Sequence, residues 1–246
     1  MSGLVESIRG RYISTREKIA SAAIRGGRDP NSIKLVVVTK SQPLEVVQAA
    51  IEAGVRILGE NYAEESAAKI QAVGNRSAVE WHMIGHVQSR KAQTVVRNFD
   101  FMHSLDGLKL AGRLDRFSAE AGRILPVLLE FNVGGEESKS GWPAWDETRW
   151  PSLLEDIDAI TRLRNLNVRG LMSMPPIGDS AEESRPYFRK MVGLQQVLSS
   201  QFPQVDFSQL SMGTSLDYEI AVEEGATLVR IGTAIVGPRT PQMEAG

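Results

Sequence analysis

Two cations and two loops rich in glycine and hydroxyl groups are the residues of this chain best suited to hold a reactive ligand. Lys40 closes the run Ile33-Lys-Leu-Val-Val-Val-Thr-Lys40. Its four consecutive apolar residues, Leu35 to Val38, read as a strand buried on both faces, and Pro43 stops it. A lysine there either snorkels into water or sits at the end of a parallel strand where α/β proteins keep their chemistry. Arg230 lies near the end of a second apolar segment, Thr227-Leu-Val-Arg-Ile231. A buried guanidinium needs an acceptor, which Glu60 or Glu219 could supply, or a bound ligand. The loops are Ser211-Met-Gly-Thr-Ser215 and Gly232-Thr233. Gly213 and Gly232 let backbone amides approach an anion, while Ser211, Thr214, Ser215 and Thr233 add hydroxyl donors. Either loop alone reads equally as a turn with capping residues. Together they fall where barrels bind phosphate.

A lysine, a phosphate cup and an arginine between them suit a ligand carrying an aldehyde, a phosphate and a ring nitrogen. Pyridoxal 5′-phosphate meets all three requirements, with its aldehyde on Lys40, its phosphate in the loops and its pyridine nitrogen on Arg230. An arginine is a permanent donor. It would leave that nitrogen unprotonated and make the ring a weaker electron sink than an aspartate would.

These residues need a frame, and the hydrophobic pattern supplies one. Residues 2 to about 26 carry Leu4, Ile8, Tyr12, Thr15 and Ile19 at helical spacing, and Gly26-Gly27 ends the helix. Strands are expected at 33–40, 55–59, 79–85, 100–103, 124–133, 168–172, 205–210 and 227–231, each followed by a helix-like stretch except the last. A loop from Gly134 to Trp145 precedes the helix that runs to Leu163. Eight strands alternating with helices predict a single (β/α)₈ TIM barrel, with a doubly wound open sheet as the alternative. One domain, 1–240, is expected, with a flexible tail at 241–246.

Composition narrows the function classes. The 246 residues are 42% hydrophobic and 24% charged, with a net charge of −2 and no cysteine. Disulfides, thiolate metal sites and cysteine nucleophiles are excluded, and no basic footprint points to nucleic acid. The N-terminus carries Glu6 and no continuous apolar run, so neither a signal peptide nor a membrane span is expected, and a cytoplasmic location is. His82 and His86 have the spacing of a helical metal pair, but Gly85 and the strand pattern of 81–84 oppose it, and no metal site is expected.

Over nearly its whole length the chain resembles the pyridoxal phosphate homeostasis proteins, the YggS-type family. The matching segments are Val-Val-Thr-Lys40 with Pro43, Gly59-Glu-Asn-Tyr62, Trp81-His-Met-Ile-Gly85 with Gln88-Ser89 and Lys91, and His103-Ser-Leu-Asp106. They continue with Asn132-Val133, Lys139-Ser-Gly141, Arg169-Gly-Leu-Met172 with Pro175, Leu210-Ser-Met-Gly213 with Ser215 and Asp217, and Val229-Arg-Ile-Gly-Thr233. The resemblance implies a fold-type III barrel like the N-terminal domain of alanine racemase, without that enzyme's second β-domain. It implies the cofactor on Lys40, Arg230 at the pyridine nitrogen, the phosphate on Ser211, Gly213, Ser215, Gly232 and Thr233, and Asn61 near the ring. It further implies a carrier or regulator of vitamin B6 without an established reaction, serving apo-enzymes that need the cofactor. A monomer or weak homodimer is expected. Gln42 stands where many bacterial relatives carry a second lysine. Thr214 replaces a usual methionine and adds a hydroxyl to the phosphate loop. A racemase acting from an open barrel is the competing reading. A class I aldolase using Lys40 directly on a sugar phosphate is the third, and it predicts no coloured cofactor.

Overall fold

A computed structural model describes residues 2–74, 78–176 and 178–238. The barrel strands are β1 (Lys34–Val38), β2 (Ile57–Glu60), β3 (Glu80–Met83), β4 (Phe101–Leu105), β5 (Leu125–Asn132), β6 (Leu166–Ser173), β7 (Gln209–Ser211) and β8 (Leu228–Ile231). All pair in parallel in chain order, β4 pairs with β5, and β8 returns to β1, so the sheet closes into the expected eight-stranded barrel. Around it run α1 (Ser2–Arg25), α2 (Leu44–Glu52), α3 (Ala63–Val73), α4 (Ala92–Asn98), α5 (Leu108–Glu120), α6 (Leu154–Thr161), α7 (Arg185–Gln201), α8 (Tyr218–Glu223) and the short α9 (Thr233–Val236).

The departures from the sequence pattern have local causes. The seventh strand is only Gln209–Ser211, because Asp206 Oδ1 accepts from Ser208 N at 2.9 Å and turns the chain before it. The fourth runs on to Leu105, and α5 starts at Leu108, after Gly107. Within the 134–145 loop, Trp142–Pro143 adds a two-residue strand to the end of β5, and a 3₁₀ turn, Glu147–Leu153, precedes α6. The expected tail at 241–246 lies outside the described residues.

Strand alternation sorts the side chains into two cores. Outward residues such as Val37, Trp81, Met102, Leu129 and Val229 meet the helices in a large annular core. Inside the barrel a small cluster forms from Val36, Phe101, Leu128, Met172 and Leu228. By the same alternation His82, His103, Glu130, Ser211 and Arg230 fall on the inner face, each next to at least one residue of the annular core along the chain. Two bulges adjust this parity. Between Met102 and Leu105, β4 uses one more residue than β5, and Arg169 is the extra residue of β6 opposite Val127–Leu128. After the second bulge Met172 turns inward, whereas Leu166 and Val168 belong to the outer core. Bulges of this kind re-aim side chains near functional sites.

Helix α1 packs on α2, α8 and α9 outside the barrel. Its buried stripe is Val5, Ile8, Thr15, Ile19, Ala22 and Ala23, so the expected spacing holds from Ile8 to Ile19 while Leu4 and Tyr12 lie half-buried. Arg25 fastens its end to Glu223 at 2.7 Å and Glu219 at 3.1 Å. A cavity of about 490 Å³ opens beneath this helix, beside Ile33, Leu35 and Ile57, at the end of the barrel away from Lys40. Among the described residues no helix is long and apolar enough to cross a membrane.

Candidate functional site

Strand β1 stops at Val38, and a tight turn carries Lys40. Gln42 N donates to Thr39 O at 3.1 Å across it, with Ser41 in the left-handed region at φ 56°. Thr39 is pinned outward: its hydroxyl donates to Glu60 Oε1 at 2.8 Å, and Lys69 Nζ donates to its carbonyl at 3.2 Å. The half-buried Lys40 follows in the turn at the C-terminal end of β1, at the mouth of the barrel. Glu60 is therefore not a partner of Arg230. It is fully buried against α3, bound by Thr39, Ser66 and Lys69, and burial raises its pKa against the pull of Lys69. Glu219 pairs with Arg25 instead, so neither acceptor proposed within the chain serves Arg230. Gln42 is buried too, its amide donating to the carbonyls of Gly237 and Pro238 at 3.3 Å each. The glutamine at this position ties the far end of the described chain to the Lys40 turn.

Arg230 is 4% exposed, inside the barrel. One of its terminal nitrogens donates to Ser211 Oγ at 2.6 Å and the other to Ser173 O at 3.0 Å. Burial lowers its pKa to about 10, with the carboxylates of Glu130 and Asp217 opposing the shift, so it remains a cation at neutral pH. A guanidinium has five N–H donors and these contacts use two. Ser211 also contacts His103 Nδ1 at 2.8 Å. The hydroxyl expected in the phosphate set thus lies deeper, engaged with Arg230 and His103.

The two loops meet above Arg230, where Arg230 N donates to Gly213 O at 3.0 Å. Gly213 has φ 92°, and a Cβ there would come within 2.6 Å of Ala221 Cβ, so both conformation and close approach demand glycine. Thr214 spends its amide and its hydroxyl on Asp217 Oδ1, at 2.7 and 3.1 Å. Its hydroxyl is therefore committed inside the loop and is not a further donor to an anion. The backbone amides of Ser215, Gly232 and Thr233 make no hydrogen bond among the described residues. They are available to an anion, next to the hydroxyls of Ser215 and Thr233. Asn61 follows β2, with its buried Oδ1 unpartnered among the described residues, beside a cavity of about 190 Å³ shared with Tyr62, His86 and Lys91.

Glu130 and His82 escaped the reading of the sequence as parts of this site. The expected strands put His86 just after 79–85 and His103 at the end of 100–103, on the face where a barrel keeps its chemistry. Glu130 has an enclosed Oε2 without a partner among the described residues. Burial and the neighbouring Asp106 raise its pKa to about 7, while Arg230 and Lys139 pull the other way. His86 is exposed, with Nδ1 2.8 Å from Asp106 and 3.1 Å from Ser140. His82 is buried in β3 against His103, so the two histidines considered as a metal pair take part in separate contacts. Among the described residues no group of three potential ligands surrounds a metal position. Lys139 lies 4.0 Å from Glu136, at the edge of a cavity of about 170 Å³ with Met174, Thr214 and Leu216. The signal for Glu130 and His82 was inward parity, which strand periodicity already contained.

Glu130 gives a pH dependence with a definite sign. A carboxyl whose folded pKa exceeds its unfolded value binds a proton more tightly when folded, so its contribution to stability is lost as pH rises through about 4.5 to 7. In ligand-free protein Glu130→Gln is expected to add about 1–3 kcal/mol at pH 8 and almost nothing at pH 4.5. Urea unfolding at the two pH values measures this, and an equal effect at both would refute it.

Residues 27–240 match the family model of the alanine racemase N-terminal domain. The chain is 40% identical, over 87% of its length and 89% of the relative's, to the pyridoxal phosphate homeostasis protein of Vibrio alginolyticus. It superposes with a TM-score of 0.80 and 33% identity on PipY of Synechococcus elongatus with PLP bound, covering 94% of this chain and all of that one. Alanine racemase from Clostridium difficile is similar in fold alone, with 15% identity and a TM-score of 0.69. That match covers 97% of this chain and 58% of the racemase.

Proposed function

Because the chain belongs to the family of the alanine racemase N-terminal domain, and with its relatives to the pyridoxal phosphate homeostasis proteins, we propose that it binds pyridoxal 5′-phosphate on Lys40 and serves intracellular homeostasis of that cofactor. The observation that carries this reading is the buried Arg230 with unspent donors, set beneath two loops with available amides. The residues fit the group. Amides at Ser215, Gly232 and Thr233 suit a phosphate, and the enclosing backbone at Gly213 shapes their loop. Arg230 can donate to a ring nitrogen, and Asn61 brings an unpartnered oxygen to the mouth. When bound, the cofactor would supply an aldehyde, and Lys40 would hold it covalently through Nζ, with water released.

The chain's own residues favour holding over transforming. An arginine donor leaves the ring nitrogen without a proton, which limits the ring as an electron sink. Among the described residues no tyrosine is set as a racemase acid. Tyr62 is exposed at the mouth, and Tyr218 is buried in α8, where burial raises its pKa. Release to apo-enzymes that require the cofactor completes the reading.

Purified protein loaded with the cofactor is expected to be coloured, and borohydride reduction should leave the adduct mass on the peptide containing Lys40. An uncoloured protein or an adduct on another lysine overturns the assignment. Exchange of an amino acid's α-proton with deuterated solvent at an enzyme-like rate would instead establish the racemase reading.

A further inference from the structure

Four polar side chains cross the barrel interior where a packed apolar layer is the usual filling. Arg230 contacts Ser211 Oγ at 2.6 Å, and Ser211 Oγ lies 2.8 Å from His103 Nδ1. His103 Nε2 lies 2.8 Å from His82 Nδ1. His82 Nε2 reaches Glu80 Oε1 at 3.0 Å, a bent contact rather than an aligned bond. Glu80 opens β3, so the line runs from the site to the opposite end of the barrel. Phe101 holds both imidazoles, stacked on His82 at 5.1 Å and edge-on to His103 at 5.0 Å.

The direction of these bonds follows from the donor inventory. Arginine only donates, so Ser211 accepts from Arg230. The serine's own proton then has one acceptor among the described residues, His103 Nδ1. Burial, with His82 and Arg230 close by, holds His103 well below the ordinary histidine pKa, so it is neutral and its single proton sits on Nε2. That proton points at His82 Nδ1, which must be bare, leaving the proton of His82 on Nε2 facing the Glu80 carboxylate. Each hydrogen bond from Arg230 through Ser211 and His103 to His82 Nδ1 then has one donor and one acceptor, and the remaining proton, on His82 Nε2, faces Glu80 without an aligned bond. A reversed line would aim two donors at Ser211 and strand its hydroxyl proton in the core, at a cost of roughly 1–3 kcal/mol.

We propose that His103 and His82 are positioning residues that act through Ser211. Their one-way hydrogen-bond line, from Arg230 to His82, fixes the guanidinium that meets the cofactor's ring nitrogen. The proposal rests on the assignment of Arg230 to that nitrogen. Aligned bonds polarise one another, so the line holds Arg230 both in place and in its role as donor. Removing His103 leaves the Ser211 proton without an acceptor and loosens Arg230 without touching the cofactor.

Two measurements test this, and the first needs no cofactor. ¹⁵N imidazole shifts of ligand-free protein at neutral pH are expected to show His103 and His82 both neutral and protonated on Nε2. A proton on Nδ1 of His103, or a doubly protonated His82, overturns the line. In loaded protein, His103→Leu should shift the visible absorption band and weaken cofactor binding about tenfold, while His103→Gln, which can accept from Ser211 and donate to His82, restores most of both. In a Ser211→Ala background the same His103→Leu change should have no further effect. An equal effect in both backgrounds would mean that His103 merely fills space and would refute the proposal. Failure of the unsubstituted protein to bind the cofactor would refute the binding assignment, while the shifts would still decide the line. Should His103→Leu not fold, the imidazole shifts and the glutamine and alanine variants carry the test.

Discussion

Lys40→Ala is expected to abolish the borohydride-stable adduct completely while leaving the barrel folded. The side chain is half-buried in a turn beyond the end of β1, so truncating it opens no sealed cavity. The stability change should stay within about 1 kcal/mol. The loop amides and Arg230 remain, so the cofactor still binds, without its covalent bond and with affinity lower by at least about a hundredfold, or roughly 3 kcal/mol. Intact mass after reduction and equilibrium dialysis measure the two effects. Lys40→Arg is the control, since it keeps the charge and cannot form the C=N bond. A reduced adduct on Lys139 or Lys91 in the alanine variant would locate the chemistry elsewhere.

A methyl group at position 170 is expected to disrupt the barrel. Gly170 has φ 147° at the bulge of β6, and a Cβ there would sit 1.8 Å from Gln209 O, on the strand paired with it. Neither atom can yield, because the carbonyl belongs to the β6–β7 ladder that sets the parity of Met172 and the reach of Ser173 O to Arg230. Steric overlap costs roughly 1–3 kcal/mol and the backbone conformation a similar amount, so Gly170→Ala should lose on the order of 3–5 kcal/mol. Such a loss is a large part of the 5–15 kcal/mol typical of a whole domain. The urea midpoint should fall accordingly and cofactor binding should fall with it. An unchanged midpoint would mean that β6 can shed the bulge, and the parity argument would fail.

The barrel was legible because short buried strands alternating with amphipathic helices leave few other ways to cover both faces of a parallel sheet. Lys40 and Arg230 stood out for a related reason: a cation ending a β-branched run has no comfortable place in an apolar core. The loops around Gly213 and Gly232 were legible through glycine and hydroxyl content, and their place after β7 and β8 followed from counting strands. Element ends were less visible. Ser208 reads as strand by composition, yet Asp206 accepts its amide and the strand begins at Gln209.

Composition could not assign partners. Glu60 looked like a candidate acceptor for Arg230, but residue 60 faces outward and α3 brings Lys69 to it. Thr214 looked like an anion donor, and a turn of three residues gave it to Asp217. His82 and His103 lie twenty-one residues apart in sequence and touch only because β3 and β4 are neighbours in a closed sheet. The sequence by itself determined the fold, the family and the inventory of reactive groups, since periodicity and residue type are local properties. Only the tertiary structure decided which of those groups share a proton, because that depends on strand order, on closure of the sheet and on two bulged residues that reset which way the side chains point.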